Sequence, residues 1–228
     1  MTGVLMQVRL GSTRLPAKAL LPLADRTVVE HAMIALRKVD ADLFTLVTDE
    51  QSAPGLAPAA VRCGYELFVG DAENVLRRYI DAATRHNVTT IIRATGDNPV
   101  VSGSLAAEAL RFHREQHADL TRFEGLPIGC GVEVVERSAL EQAVAEGTDR
   151  YDEEHVTAHL YRHAAGFRVQ RIDAPQRFCC PDCRVTLDTE NDYQRLKQLF
   201  AERYRGEPME VEEIIQWCNR ETRRAVCP

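Results

Sequence analysis

The chain has 228 residues, of which 45% are hydrophobic and 27% charged, with a formal net charge of -6. This is an ordinary balance for a globular protein able to bury a sizeable core; it argues against a general nucleic-acid binder but leaves room for a local basic pocket that takes a small anion. The start of the chain does not read as a signal peptide, no later run reaches transmembrane length, and the seven cysteines are an odd set, so the expectation is a cytoplasmic protein with reduced thiols, without membrane insertion or a disulfide framework.

In chain order, Val4 to Val8 reads as a buried strand that runs into a turn of small residues and cations, Arg9 to Lys18. Gly11, Ser12 and Thr13 let backbone N–H groups approach anionic oxygens, Arg9, Arg14 and Lys18 supply countercharge, and Pro16 stiffens the exit. The spacing is not that of a Walker A loop, since no second Gly precedes Lys18 and no Ser or Thr follows it. Two readings stand at this point, a polyphosphate-holding loop and a solvated basic turn.

The pattern continues with a helix near Val28 to Lys38, a strand Leu43 to Val47, a helix around Ala57 to Cys63, a strand Tyr65 to Val69, a helix Glu73 to His86 and a strand Thr90 to Ala94. This βαβ rhythm predicts an α/β fold with a mostly parallel sheet and helices on its faces, so ligands collect at the carboxyl ends of the strands. The loops at Arg9 to Ser12, Thr48 to Glu50, Gly70-Asp71 and Thr95 to Pro99 then share one edge. A helix Ser104 to His117, strands Asp119 to Phe123 and Val132 to Val135, a helix Asp152 to His163 and strands Phe167 to Ile172 and Arg184 to Leu187 follow. Helices Glu190 to Tyr204 and Val211 to Arg223 end the pattern, and no linker or repeat divides it.

Asp97 and Asp188 each follow a strand-like run. Alone, the first reads equally as an Asx turn before Pro99 and the second as a helix cap. Together they offer two carboxylates for a cation that bridges phosphate oxygens, and Mg²⁺ takes only one or two protein carboxylates in such sites.

The opening RLGSTRLPAK, GDAENVLRRY at 70–79, RATGDNP at 93–99, GVEVVE at 131–136, EEHVT at 153–157 and VTLDTENDY at 185–193 occur in an order that resembles cytidylyltransferases of the spore-coat polysaccharide biosynthesis type. These are related to the acylneuraminate and 3-deoxy-manno-octulosonate cytidylyltransferases. The resemblance implies a nucleotide-diphospho-sugar transferase fold, a three-layer α/β/α sandwich with a mostly parallel mixed sheet, as one nucleotidyltransferase domain over residues 1–228. Residues 125–180 would contribute acceptor-side and dimer elements.

It also implies transfer of CMP from CTP to a sugar or related small acceptor with release of pyrophosphate, and a homodimer. Triphosphate binding carries onto Arg9, Gly11, Ser12, Arg14 and Lys18, with Arg9, Lys18 and Asp97 as the catalytic set, Thr48 and Asp49 near the base, and Mg²⁺ on Asp97 and Asp188. Glu133, Glu154 and His155 fall in segments that resemble the acceptor pocket. Arg93 and Arg122 suit an acidic acceptor or a structural ion pair equally well. Another nucleotide such as GTP, a phosphorylated acceptor, and a non-catalytic nucleotide-binding regulator remain alternatives.

His155, His159 and His163 at four-residue spacing, and the cluster Cys179, Cys180 and Cys183, raise zinc. No second ligand pair stands at a recognisable spacing, so a thiol-lined surface loop is the preferred reading. This cysteine segment departs from the family pattern just before Asp188.

Overall fold

The computed structural model describes the backbone of residues 1–226 and the side chains of residues 1–221, so Cys227 lies outside the described residues. Its strands are β1 (Thr2–Gln7), β2 (Pro22–Leu23), β3 (Arg26–Thr27), β4 (Leu43–Thr48), β5 (Glu66–Val69), β6 (Thr90–Thr95), β7 (Leu120–Glu124), β8 (Glu133–Glu136) and β9 (Val169–Asp173). The helices are α1 (Val28–Leu36), α2 (Ala53–Cys63), α3 (Val75–Arg85), α4 (Gly103–Glu115), α5 (Arg137–Glu146), α6 (Arg150–His155), α7 (Ala158–Arg162), α8 (Glu190–Arg203) and α9 (Val211–Val226).

Seven strands form one sheet in the order β5-β4-β1-β6-β8-β7-β9, and β2 with β3 makes a separate hairpin. β1 pairs in parallel with β4 and β6, β4 with β5, and β7 with β9. β8 pairs antiparallel with both β6 and β7, so it alone runs against the other strands of a mostly parallel mixed sheet.

Alternation along each central strand feeds two cores, which is why β1 reads as a continuous apolar run. Val4 and Met6 join a core with residues of α1, α2, α4, α8 and α9, whereas Leu5 joins a core with residues of α3, α5 and the α6–α7 segment. Helices thus cover both faces, and the three-layer expectation holds. The carboxyl ends of β1, β4, β5 and β6 lie on one edge, as the rhythm requires.

Local chemistry fixes several helix starts on that edge. Asn74 caps α3 by accepting the Arg77 N–H, and Thr189 with Asp192 forms a capping box at α8, each satisfying otherwise orphaned N–H groups. α5 and the β2–β3 hairpin were not anticipated, although Ala139, Leu140 and Ala143 give α5 its buried stripe.

The continuous helix expected over Asp152 to His163 is instead α6 and α7. Val156 takes φ 61°, Thr157 N–H donates to His155 O at 2.6 Å, and the Thr157 hydroxyl donates to Glu133 at 2.8 Å. That last bond draws the chain toward the sheet and breaks the helix. Arg184 to Leu187 is not a ladder strand either, since only an isolated bridge joins Arg184 to Ile128.

The thiol expectation is corrected in part. Cys183 and Cys218 form a disulfide, while Cys63, Cys130, Cys179 and Cys180 are free. Cys183 is therefore not a zinc ligand, and the broken helix removes the shared face of the three histidines. His159 is buried, with Nε2 2.9 Å from Glu146. Among the described residues no group of three or more side chains is placed to hold a metal ion.

Candidate functional site

A cavity of about 480 Å³ opens at the carboxyl end of β1 and β6. One wall is the basic turn, with Arg9, Gly11, Ser12, Thr13, Arg14 and Lys18. Asp97 and Asp188 stand against Lys18 of that turn, and Glu154 and His155 reach in from α6. Segments far apart in sequence thus meet at one cavity.

Gly96 positions Asp97. Its N–H donates to Gln7 O at 2.8 Å, and a Cβ there would stand 2.9 Å from Val8 Cβ and 3.0 Å from Val29 Cγ2, so a side chain would push the loop off β1. Asp188 is set by the start of α8, where its N–H donates to Asp192 at 3.1 Å. Leu187 N–H reaches Asp97 O at 3.3 Å and ties the two carboxylate loops together.

Both carboxylates converge on one ammonium. Lys18 Nζ lies 2.6 Å from Asp97 and 3.0 Å from Asp188, and it also donates to Leu187 O at 2.6 Å. Arg14 stands 3.2 Å and Arg184 2.6 Å from Asp188. Burial by itself would raise the Asp188 pKa, but bonding to Lys18 and Arg184 and the charge of Arg14 hold it below the ordinary carboxylate range. Arg184 was missed by the sequence reading, and its signal was the four-residue spacing to Asp188.

Gly11 meets no protein atom where a Cβ would stand. Nothing in the chain's own packing requires glycine there, and the residue lines the cavity. Arg9 lies 3.8 Å from Glu154 across the opening.

Thr48 and Asp49 do not line this cavity. Both are buried; Asp49 accepts the Ser52 N–H at 2.7 Å, and Ser52 in turn accepts the Leu10 N–H at 2.9 Å. Asp49 thus braces the basic turn through Ser52 and the Leu10 N–H.

A second cavity of about 250 Å³ adjoins the first, walled by residues of the 122–133 stretch including Arg122, Ile128 and Glu133, with Asn98 on its lining. Arg93 and Thr95 line both cavities. Glu133 accepts from Arg93 and Tyr161, each at 2.7 Å, and from Thr157 at 2.8 Å. Burial opposes the Glu133 charge, but Arg93 and the two hydroxyl donors outweigh it and its pKa is lowered. Burial likewise opposes the Arg93 cation, and Glu133 reverses that effect. For Arg93 the ion-pair reading is the one realised. Arg122 is less committed, with Glu124 4.0 Å away.

Lys18, Arg14 and Arg9 can neutralise a polyphosphate while Asp97 and Asp188 receive its cation, and the adjoining cavity can hold a second reactant beside the phosphate. No helix among the described residues is long and apolar enough to cross a membrane.

Comparison with known proteins places the site in context. The chain is 31% identical over 223 residues to the spore coat polysaccharide biosynthesis protein SpsF of Bacillus subtilis (strain 168), spanning 95% of this chain and 93% of that protein. In fold it is similar to a cytidylyltransferase from Leptospira borgpetersenii, with TM-score 0.86, 23% identity and coverage of 97% and 95% of the two chains. It is also similar to CMP:2-keto-3-deoxy-manno-octonic acid synthetase complexed with CTP, with TM-score 0.70, 15% identity and coverage of 88% and 98%. Residues 4–219 match the cytidylyltransferase family, and the chain belongs to that family.

Proposed function

We propose that this chain moves CMP from CTP to a sugar or related small acceptor, releasing pyrophosphate, in surface polysaccharide or glycoconjugate assembly. The observation that carries the reading is the convergence of Asp97 and Asp188 on Lys18 directly behind the Arg9 to Arg14 turn. Family membership and the identity to a spore coat polysaccharide protein support it.

Arg9, Arg14 and Lys18 bind the triphosphate, with Gly11 and Ser12 letting the backbone approach it. Lys18 holds the charge that builds on the leaving pyrophosphate, the kind of preorganised stabilisation that dominates phosphoryl and nucleotidyl transfer. Arg93, paired with Glu133, lies between the two cavities, Arg122 lines the acceptor-side cavity, and Glu154 and His155 line the phosphate-side cavity beside Arg9.

The residues present fit magnesium. Two carboxylates converge on a cation, both are hard oxygen donors, and no third protein ligand stands with them among the described residues. That set suits an ion completing its shell with phosphate and water. Asp97 and Asp188 would hold it, and when bound it supplies neutralisation of phosphate charge. Assembly as a homodimer belongs to the same proposal, supported by the family resemblance, and light scattering of the purified chain tests it.

The function is tested by pyrophosphate release with each of the four nucleoside triphosphates against a panel of neutral, acidic and phosphorylated sugars, followed by the mass of the product. A product heavier than its acceptor by one CMP residue is expected. A GMP, UMP or AMP conjugate formed in its place overturns the choice of CTP.

A further inference from the structure

We propose that the Thr95 hydroxyl is a catalytic hydrogen-bond donor to a non-bridging oxygen on the phosphorus under attack, and that Asn98 is the positioning residue that aims it. The inference rests on the nucleotidyl-transfer reading above and adds to it a residue pair.

The attacked phosphorus must touch both the nucleotide and the acceptor, so it lies where the two cavities meet. Among the described residues, the lining shared by both cavities is Arg93 and Thr95. Arg93 is bonded to the buried Glu133 at 2.7 Å, which leaves Thr95 as the remaining polar side chain at the junction.

Thr95 is the last residue of β6, in register with Gln7 of β1, and it stands two residues before Asp97. Its Oγ1 accepts a hydrogen bond from the Asn98 side-chain N–H at 2.7 Å. A hydroxyl has one proton to give. With Asn98 occupying a lone pair as donor, that proton is directed elsewhere, and no acceptor among the described residues takes it. Asn98 itself lines the acceptor-side cavity, so the O–H is free to turn toward the junction.

A non-bridging oxygen of the α-phosphate fits this donor, because its negative charge is redistributed as the reaction proceeds. In the step itself, the acceptor hydroxyl oxygen forms the new bond to the α-phosphorus. The bond from that phosphorus to the oxygen bridging to the β-phosphate breaks, and pyrophosphate leaves with the electron pair. The acceptor's proton passes to water, and Thr95 keeps its own proton throughout. A fixed donor aimed at the transition state raises turnover more than it raises nucleotide affinity.

Four variants test this, each checked for folding by its melting curve. Thr95→Val keeps the shape and suits a strand, and it is expected to lower kcat on the order of 100-fold while the nucleotide Kd, measured without acceptor, stays near that of the unaltered chain. Thr95→Ser restores most of the turnover. Asn98→Asp replaces the donor by an acceptor that captures the Thr95 proton, so it is expected to match Thr95→Val in kcat, whereas Asn98→Ala loses less.

Wild-type turnover in Thr95→Val, or loss confined to nucleotide Kd, overturns the assignment and leaves the proposed function standing. Wild-type turnover in Asn98→Asp overturns the role of Asn98. No pyrophosphate release from the unaltered chain with any nucleotide and acceptor overturns the proposed function, and the Thr95 assignment with it.

Discussion

Lys18 occupies the position around which the site is organised, because its ammonium compensates two carboxylates that would otherwise repel at close range. Asp97→Asn keeps the shape and removes one of these charges. Its pyrophosphate release is expected to fall on the order of 100-fold, with a melting temperature close to that of the unaltered chain, since Asp97 is partly exposed. Activity near the unaltered level in a folded Asp97→Asn chain contradicts its role.

Glu133 gives a prediction in pH. Its folded pKa is lowered, so the stability it contributes is present at neutral pH, above its unfolded value, and is lost as pH falls through the folded value. Glu133→Gln leaves the buried Arg93 without its charge partner, and the expected cost at pH 7 is about 3 kcal/mol. Urea unfolding of both chains at neutral and acid pH should show this gap narrowing below about pH 4, and a constant gap contradicts the assignment. Lys18 was legible as a cation of the small-residue turn after β1, Asp97 as a carboxylate just past β6, and Arg93, Glu133 and Asp188 within the motifs that carry the family resemblance. Tyr161 and Thr157, which complete the Glu133 site, were not, because they come from a helical segment whose break depends on Glu133 itself.

Elements position these side chains by contacts that single substitutions can probe. Gly96→Ala places a methyl against Val8 and Val29, and the expected cost is about 1–3 kcal/mol, accompanied by loss of turnover as Asp97 shifts. Unchanged melting and turnover would show that the loop yields without cost. The alternation and spacing of β1, β4, β6, α1, α3 and α4 made these elements readable, because each buries apolar residues in the two cores. The segment 184–187 misled because Val185 and Leu187 are buried and strand-like, yet the chain there makes one bridge to Ile128 in place of a ladder. Nothing local distinguishes the two outcomes. Thr48 and Asp49 close a parallel strand on the ligand edge, and there the Asp49 carboxylate turns back to hold the start of α2 through Ser52.

At the scale of the molecule, the two cores on either side of one sheet make the ligand edge a fixed surface, and the Cys183–Cys218 disulfide fastens the approach to Asp188 to α9. The bond closes a 35-residue separation, so Cys218→Ser is expected to lower stability by about 2–4 kcal/mol relative to the oxidised chain. Unfolding with and without a dithiol reductant measures it, and equal stability of the two forms contradicts the anchoring role. The pairing was not legible, since an odd number of cysteines argues for thiols and only the packing of α9 brings Cys218 to Cys183. The overall sandwich was legible, because a βαβ rhythm admits few arrangements.

The most direct test of the central claim is pyrophosphate release by the purified chain with CTP, magnesium and an acceptor panel, run beside Asp97→Asn. The account expects CTP-dependent release with a CMP-bearing product from the unaltered chain, and its loss in the variant. Equal release from both chains, or a product bearing a different nucleotide, contradicts it.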